Sequence, residues 1–143
     1  MLETIGPLNI TSSHTYVLTP SMVAVSAGFP SPAQDHYRGS IDLNEILIQD
    51  KTSTFLLRVA GDSMTGVGIF DGDQIIVDRS LTPTHGDVVV AIIDGDLTLK
   101  TLARSSGGWV LRAENPRFAS IALEGDMELT IWGVVTYNLH PQR

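Results

Sequence analysis

Short apolar stretches separated by glycine- and aspartate-containing turns dominate the chain after residue 50. Six of them have the length and composition of β-strands, at residues 54–60, 74–78, 87–93, 97–103, 109–113 and 128–137. Asp94-Gly95 and Gly107-Gly108 lie between strands and suit the tight turns of hairpins. Because the strands lack the spacing of β-α-β units, the pattern predicts a mainly β fold, compact and largely antiparallel.

The first 39 residues differ from the rest in composition and in the spacing of their apolar residues. Ser and Thr are frequent there, apolar residues follow no sustained helical period, and prolines recur at Pro7, Pro20, Pro30 and Pro32. We predict a flexible N-terminal arm over residues 1–39 and a folded domain over residues 40–143. Residues 41–47 are predicted to form a short helix with Ser40 or Asp42 as its N-cap.

Composition excludes several classes of function. The chain of 143 residues has a formal net charge of −7. Because nucleic-acid backbones are also negatively charged, we expect no strong direct DNA binding. It has no cysteine, which excludes disulfides and thiolate chemistry. No apolar run reaches the roughly 18 residues of a membrane span, and no signal-peptide pattern precedes the domain. We therefore expect a cytoplasmic protein.

We expect neither a metal nor a cofactor. The histidines are too far apart in sequence to pair as ligands and are predicted to be exposed in loops; they are His14, His36, His85 and His140. Asp71-Gly72-Asp73 and Asp94-Gly95-Asp96 lack the distal glutamate of a calcium loop and are interpreted as turns. The sequence also contains neither a phosphate-binding loop nor a dinucleotide fingerprint.

Ser63 and Lys100 are the remaining candidates for chemistry. Ser63 follows an apolar strand within Gly61-Asp62-Ser63-Met64; it is either an ordinary surface serine or one held where backbone N–H groups converge. Lys100 lies between leucines in a predicted strand and shares a face with Thr98 and Leu102. Burial there would favour a neutral amine that can act as a base, although its stem could equally be buried for packing alone.

Six segments resemble, in order and spacing, the S24 family of self-cleaving peptidases, which includes LexA, phage repressors and UmuD. They are Gly61-Asp62-Ser63-Met64, Phe70-Asp71-Gly72-Asp73 with Val77-Asp78, Gly86-Asp87-Val88-Val89-Val90-Ala91, Leu99-Lys100-Thr101-Leu102, Glu114-Asn115-Pro116 and Gly133-Val134-Val135. The resemblance implies the antiparallel β fold of the LexA/UmuD C-terminal domain. It also implies that Ser63 is the nucleophile and Lys100 the general base. We expect the backbone N–H groups of Asp62 and Ser63 to hold the oxyanion.

The resemblance further implies self-cleavage at Ala27-Gly28, where small residues let an extended peptide enter a narrow groove. The alternative is that this pair is only a hinge. Because 27 residues precede Gly28, too few for a helix-turn-helix domain, the UmuD-type members match better than the repressors.

For such members the family implies an SOS-response role: the processed form, residues 28–143, is an accessory subunit of an error-prone translesion DNA polymerase. The implied partners are a UmuC-type polymerase and, as activator of cleavage, a RecA filament on single-stranded DNA. We also predict a homodimer, because residues 129–137 are apolar on both faces and would be a liability as an exposed sheet edge, and because the resemblance implies that this terminal strand lies at the subunit contact. The alternative is that the strand is central within one sheet. The alternatives are a non-cleaving binding module and a transcriptional regulator.

Overall fold

The computed structural model describes residues 2–7, 27–28, 42–124 and 129–143. The chain divides into two compact units, one formed by Met1–Asn9 with Asp50–Arg143 and the other by Ile10–Gln49. The predicted boundary between arm and domain, at residues 39 and 40, lies outside the described residues and stays a prediction.

The first unit contains one antiparallel β-sheet. Its strands, in chain order, are β1 (Leu2–Pro7), β2 (Thr54–Val59), β3 (Gln74–Asp78), β4 (Val88–Ile93), β5 (Asp96–Ser105), β6 (Gly108–Arg112), β7 (Ile121–Ala122) and β8 (Leu129–Leu139). Across the sheet the order is β1-β2-β3-β8-β4-β5-β6-β7, and every neighbouring pair is antiparallel. The predicted mainly β, antiparallel fold is confirmed.

All six predicted strands are present, with described ends within two residues of the predicted ones. β1 and β7 were not predicted. β1 contains Gly6 and ends at Pro7, which weakens a strand pattern, although proline is tolerated on an edge strand. β7 has only two residues and therefore no readable alternation.

The two predicted hairpin turns differ in outcome. Asp94 and Gly95 have φ values of 47° and 85°, the left-handed pair that a tight hairpin turn requires, as predicted. The second turn is shifted by one residue, because Gly108 already pairs with Ser105 as the first residue of β6.

β8 lies in the middle of the sheet, between β3 and β4. Its Val135 packs against one apolar cluster and its Val134 belongs to another, which explains why this stretch is apolar on both faces. The inference of an exposed edge from residues 129–137 is therefore wrong, and a homodimer needs other support.

The first apolar cluster underlies the region around Ser63. Its buried members are Leu57, Val59, Met64, Ile69, Ile75, Val77, Val90 and Leu99. Since Met64 and Leu99 are direct neighbours of Ser63 and Lys100 in sequence, the packing that stabilises the sheet also holds the two candidate residues in place.

The second unit is described at residues 27–28 and 42–49 and contains a short helix, α1 (Leu43–Leu47). Asp42 caps it, with Oδ1 accepting from the Asn44 N–H at 2.9 Å, as one of the two predicted caps. In the described part of the chain, no helix has both the length and the apolar character needed to cross a bilayer.

Candidate active site

Ser63 lies in a tight turn just after β2. The turn starts at Gly61, whose φ of 98° favours glycine, and the Gly61 N–H donates to Asp71 Oδ1 at 2.7 Å. On the other side of Ser63, the Met64 side chain is 1% exposed and packs in the core. A hydrogen bond before the serine and a buried side chain after it therefore fix where the Ser63 side chain emerges.

Lys100 reaches Ser63 from β5, where its backbone pairs with Val89 of β4. The residue is buried, with 8% of its surface exposed. Nζ donates to Ser63 Oγ at 3.5 Å, to Thr98 Oγ1 at 3.2 Å and to the carbonyl oxygen of Leu99 at 3.1 Å. The structure thus brings together the two side chains that the sequence analysis singled out, and Thr98 shares the face of Lys100 as predicted.

Burial lowers the pKa of Lys100 below the ordinary lysine value. Desolvation disfavours the ammonium form, and among the described residues no carboxylate forms an ion pair with this lysine to offset that cost. The neutral amine, which is the form able to accept a proton, is therefore easier to reach here than in an exposed lysine.

The two side chains line a cavity of about 190 Å³. Its remaining walls come from the Ser63 turn, from β5 and from one exposed aromatic ring; they are Val59, Ala60, Gly61, Asp62, Met64, Thr98, Leu99 and Phe118. Within the described part of the chain, the backbone N–H groups of Asp62 and Ser63 donate no hydrogen bond. No described acceptor therefore competes for these N–H groups, as the predicted oxyanion role requires; that role stays a prediction.

Ala27 and Gly28 form an exposed bend in the second unit. Among the described residues other than its chain neighbours, none has an atom within 4 Å of the position that a Cβ on Gly28 would occupy. The residues are thus accessible, and cleavage between them stays a prediction.

Two of the four histidines are described, and both make contacts that sequence spacing did not reveal. His85 Nδ1 accepts from the Arg104 N–H at 2.9 Å, and His140 Nδ1 contacts Asp73 Oδ1 at 2.5 Å. The two partners in the second contact are 67 positions apart. His14 and His36 lie outside the described residues.

Comparison with known proteins gives matches that span the candidate site. Residues 20–136 match the family model described as Peptidase S24-like. Protein ImpA of Salmonella typhimurium is 37% identical over 138 residues, which cover 96% of this chain and 93% of that protein. Protein MucA of Escherichia coli is 42% identical over 120 residues, or 82% of each chain. The LexA repressor of Acetivibrio thermocellus is 35% identical over 127 residues, which cover 89% of this chain and 59% of the repressor.

Proposed function

The chain belongs to the S24 peptidase family and is of its UmuD type, and from this premise we propose that it is a serine–lysine peptidase that cleaves its own Ala27-Gly28 bond. The observation that carries the proposal is the buried Lys100 amine within 3.5 Å of Ser63 Oγ. Burying a lysine is costly for folding, and strongly perturbed ionisable groups are concentrated at functional sites, so its position beside a serine supports a catalytic role.

The reaction divides into acylation and deacylation. Neutral Lys100 takes the proton of Ser63 as Oγ attacks the carbonyl carbon of Ala27, and the N–H groups of Asp62 and Ser63 stabilise the oxyanion. The tetrahedral intermediate collapses as Lys100 returns that proton to the amine of Gly28, which leaves. In deacylation, a water molecule gives a proton to Lys100 as its oxygen attacks the ester carbonyl on Ser63. Lys100 then passes that proton to Ser63 Oγ as the ester bond breaks, and the Ala27 end leaves as a carboxylic acid that ionises in water.

Cleavage of this kind needs a restraint, and the protonation state of Lys100 offers one. A lysine with the ordinary pKa of about 10.4 is neutral in only about one molecule in 2,500 at pH 7. Entry of the Ala27 segment would expel water from the cavity and favour the neutral amine, but ordering the segment costs about 1–2 kcal/mol per residue. An activator can promote cleavage by binding the docked state more tightly than the undocked one.

We further propose the cellular role that the family membership suggests. The processed chain, residues 28–143, acts in the cytoplasm as an accessory subunit of a UmuC-type translesion polymerase in the SOS response, and a RecA filament on single-stranded DNA activates its cleavage. The matches to ImpA and MucA over most of the chain support this assignment.

We also propose a homodimer. Its support is the family membership together with apolar surface at the end of β8, where Tyr137 and Leu139 are 42% and 39% exposed. Such residues commonly form the apolar centre of subunit contacts. Sedimentation at tens of micromolar tests this, and a monomer alone would reject it.

Intact mass spectrometry tests the peptidase directly. Purified protein is incubated with RecA, single-stranded DNA and ATP, and in parallel with each component left out. Two fragments that meet between residues 27 and 28 are expected, with Ser63→Ala as the inactive control. If the chain stays whole under every condition but still binds the polymerase, it is a non-cleaving binding module. Sequence-specific DNA retention at physiological salt would instead indicate a transcriptional regulator.

A further inference from the structure

The segment that follows β6 holds the backbone on both sides of Ser63. Asn115 Nδ2 donates to the carbonyl oxygen of Asp62 at 2.8 Å, and the Glu114 N–H donates to the carbonyl oxygen of Ser63 at 2.8 Å. In return, the carbonyl oxygen of Glu114 accepts from the Gly66 N–H at 2.7 Å. The Glu114-Asn115 pair, to which the sequence analysis assigned no role, therefore makes three hydrogen bonds to the turn that carries Ser63.

The bond from Asn115 has a specific geometric consequence. The Asp62 carbonyl and the Ser63 N–H belong to one planar peptide, and no described peptide bond is cis. In a trans peptide the C=O and N–H point in opposite directions. Holding the Asp62 oxygen on one side therefore fixes the direction of the Ser63 N–H on the other. Among the residues that the structure describes, this N–H has no acceptor that would set its direction.

Asn115 is also held by hydrogen bonds within its own turn, independently of its contact with Asp62. Its Oδ1 accepts from the Arg117 N–H at 3.0 Å, and its carbonyl oxygen accepts from the Phe118 N–H at 3.0 Å. The amide is therefore oriented by its own turn, so its NH₂ can act as a fixed donor rather than one that must first be ordered.

We infer that Asn115 is a positioning residue for oxyanion stabilisation: its amide holds the Asp62 carbonyl so that the Ser63 N–H points at the developing negative charge. The inference rests on the proposed peptidase function and extends it to a residue that touches neither the scissile bond nor the nucleophile. An oxyanion donor acts through its direction and distance, so a rotated peptide loses rate even when the donor is still present.

Two substitutions separate the donor of Asn115 from the rest of its side chain. Asn115→Asp keeps an oxygen for the Arg117 N–H but replaces the donor to Asp62 with an acceptor, while Asn115→Ala removes both without adding charge. Asn138→Ala is the matched control, because Asn138 Nδ2 also donates to a loop carbonyl, that of Gly68 at 2.9 Å, but at a point five residues beyond Ser63.

First-order self-cleavage of the full chain is measured from pH 7 to pH 10, alone and with the RecA filament, below the unfolding temperature of each variant. Both Asn115 variants are expected to lower the plateau rate about 10- to 100-fold. Asn115→Ala should leave the apparent pKa of the rate profile unchanged, because the base is intact. Asn138→Ala should cleave within about two-fold of the wild type even if it unfolds at lower temperature.

Plateau rates within about three-fold of the wild type for both Asn115 variants would overturn the inference while leaving the peptidase intact. An equal loss in Asn138→Ala would also overturn it, because the effect would then come from general loosening of the loop. Absence of cleavage in the wild type under all conditions would reject the peptidase itself and the inference with it. If Asn115→Ala does not fold, the plateau rate of Asn115→Asp, which keeps the hydrogen bond from the Arg117 N–H, decides whether the inference holds.

Discussion

Lys100 Nζ lies 3.5 Å from Ser63 Oγ while it also reaches two other oxygens, on Thr98 and Leu99. An ammonium group would donate a hydrogen to each of the three. A neutral amine has two hydrogens and one lone pair, so it can donate to Thr98 and Leu99 and turn its lone pair towards the serine hydroxyl. The longest of the three distances is the one to Ser63, as is common in free enzymes whose catalytic hydrogen bonds shorten when substrate binds.

We predict that Ser63→Ala and Lys100→Met each abolish cleavage at Ala27-Gly28, lowering its rate at least about 10³-fold. Methionine fills the space of the buried lysine stem, so loss of activity is not confounded by a cavity. The double variant should be no slower than either single variant, because nucleophile and base act as one unit. Cleavage is followed by intact mass.

The control for the lysine is Lys51→Met, since Lys51 and Lys100 are the only lysines of the chain and Lys51 is exposed. This variant should cleave at the wild-type rate. Substantial cleavage by Ser63→Ala would contradict the assignment of the nucleophile.

The pKa of Lys100 should be measurable directly and should also govern the pH dependence of cleavage. Burial lowers this pKa below about 10.4, so a titration of the lysine ¹⁵Nζ signals should show one midpoint below that value. Partner-free cleavage should rise with pH, because deprotonation creates the base, and should level off near the same midpoint.

With two lysines in the chain, Lys51→Arg leaves a single lysine signal and so assigns it to Lys100. A flat rate profile from a folded protein would mean that Lys100 is already neutral or is not the base. A midpoint in the rate profile far from the NMR midpoint would assign the rate to another group.

The sheet was largely predictable from the sequence because strand and turn signals are local. The continuous apolar run of β4, the alternating apolar and polar residues of β5 and the Asp94-Gly95 turn between them specify one hairpin without any distant information. The position of β8 was not predictable in this way. A stretch that is apolar on both faces fits a central strand and an edge strand at a subunit contact equally well. Only its pairing with β3 and β4 shows that it is central.

In the candidate site, too, features with a local sequence signal were predictable and contacts between distant residues were not. Ser63 and Lys100 were found because each has an unusual local setting and both fall in the motifs of the family resemblance. The role of Asn115 was not found, because its contact joins positions 53 residues apart and depends on which way one peptide faces. Contacts of that kind leave no periodic trace in a sequence.

Gly66→Ala should lower the plateau rate of cleavage about 10- to 100-fold and destabilise the fold by about 1–3 kcal/mol. A Cβ on Gly66 would overlap the carbonyl oxygen of Glu114, so the turn carrying Ser63 and the segment carrying Asn115 would be pushed apart. The rate is measured by intact mass and the stability by urea unfolding.

Gly107→Ala is the control, because no described residue beyond its chain neighbours has an atom within 4 Å of its Cβ position and its φ is not in the left-handed range. Stability and rate should both stay close to wild type there. Wild-type cleavage by Gly66→Ala would show that the turn tolerates the displacement.

Asp73→Asn should destabilise the protein by about 1–3 kcal/mol near neutral pH. Burial of Asp73 opposes ionisation, but hydrogen bonds from the Phe70 N–H, His140 and Asn138 outweigh it, so the pKa of this carboxyl lies below its ordinary value. A carboxyl with a lowered pKa stabilises the fold above about pH 4 and loses that contribution as pH falls through its folded pKa.

The difference in unfolding temperature between Asp73→Asn and the wild type should therefore narrow from pH 6 to pH 3. Asp94→Asn is the control, since Asp94 is an exposed turn residue with positive φ, which asparagine also adopts. A constant difference across this pH range would mean that the lost contribution does not come from ionised Asp73.

Lys100→Met should abolish cleavage and at the same time stabilise the fold, by about 0.5–2 kcal/mol at pH 7. The pKa of Lys100 is lowered by burial, so the unfolded chain binds a proton more tightly than the folded one does. The cost of the buried lysine is complete below the folded pKa. It shrinks as pH rises from there towards the unfolded value near 10.4, where both states are neutral. The stabilising effect of methionine should accordingly decrease as pH rises from 7 to 10. Urea unfolding of the variant and the wild type measures the difference in their stability, in which the contributions of the other titrating groups cancel.

Lys51→Met, at an exposed position, is the control and should change stability by less than about 0.5 kcal/mol throughout this pH range. A Lys100→Met protein that is less stable than wild type at pH 7 would mean that the three hydrogen bonds of Nζ outweigh its desolvation, and the predicted cost of burying the lysine would be wrong.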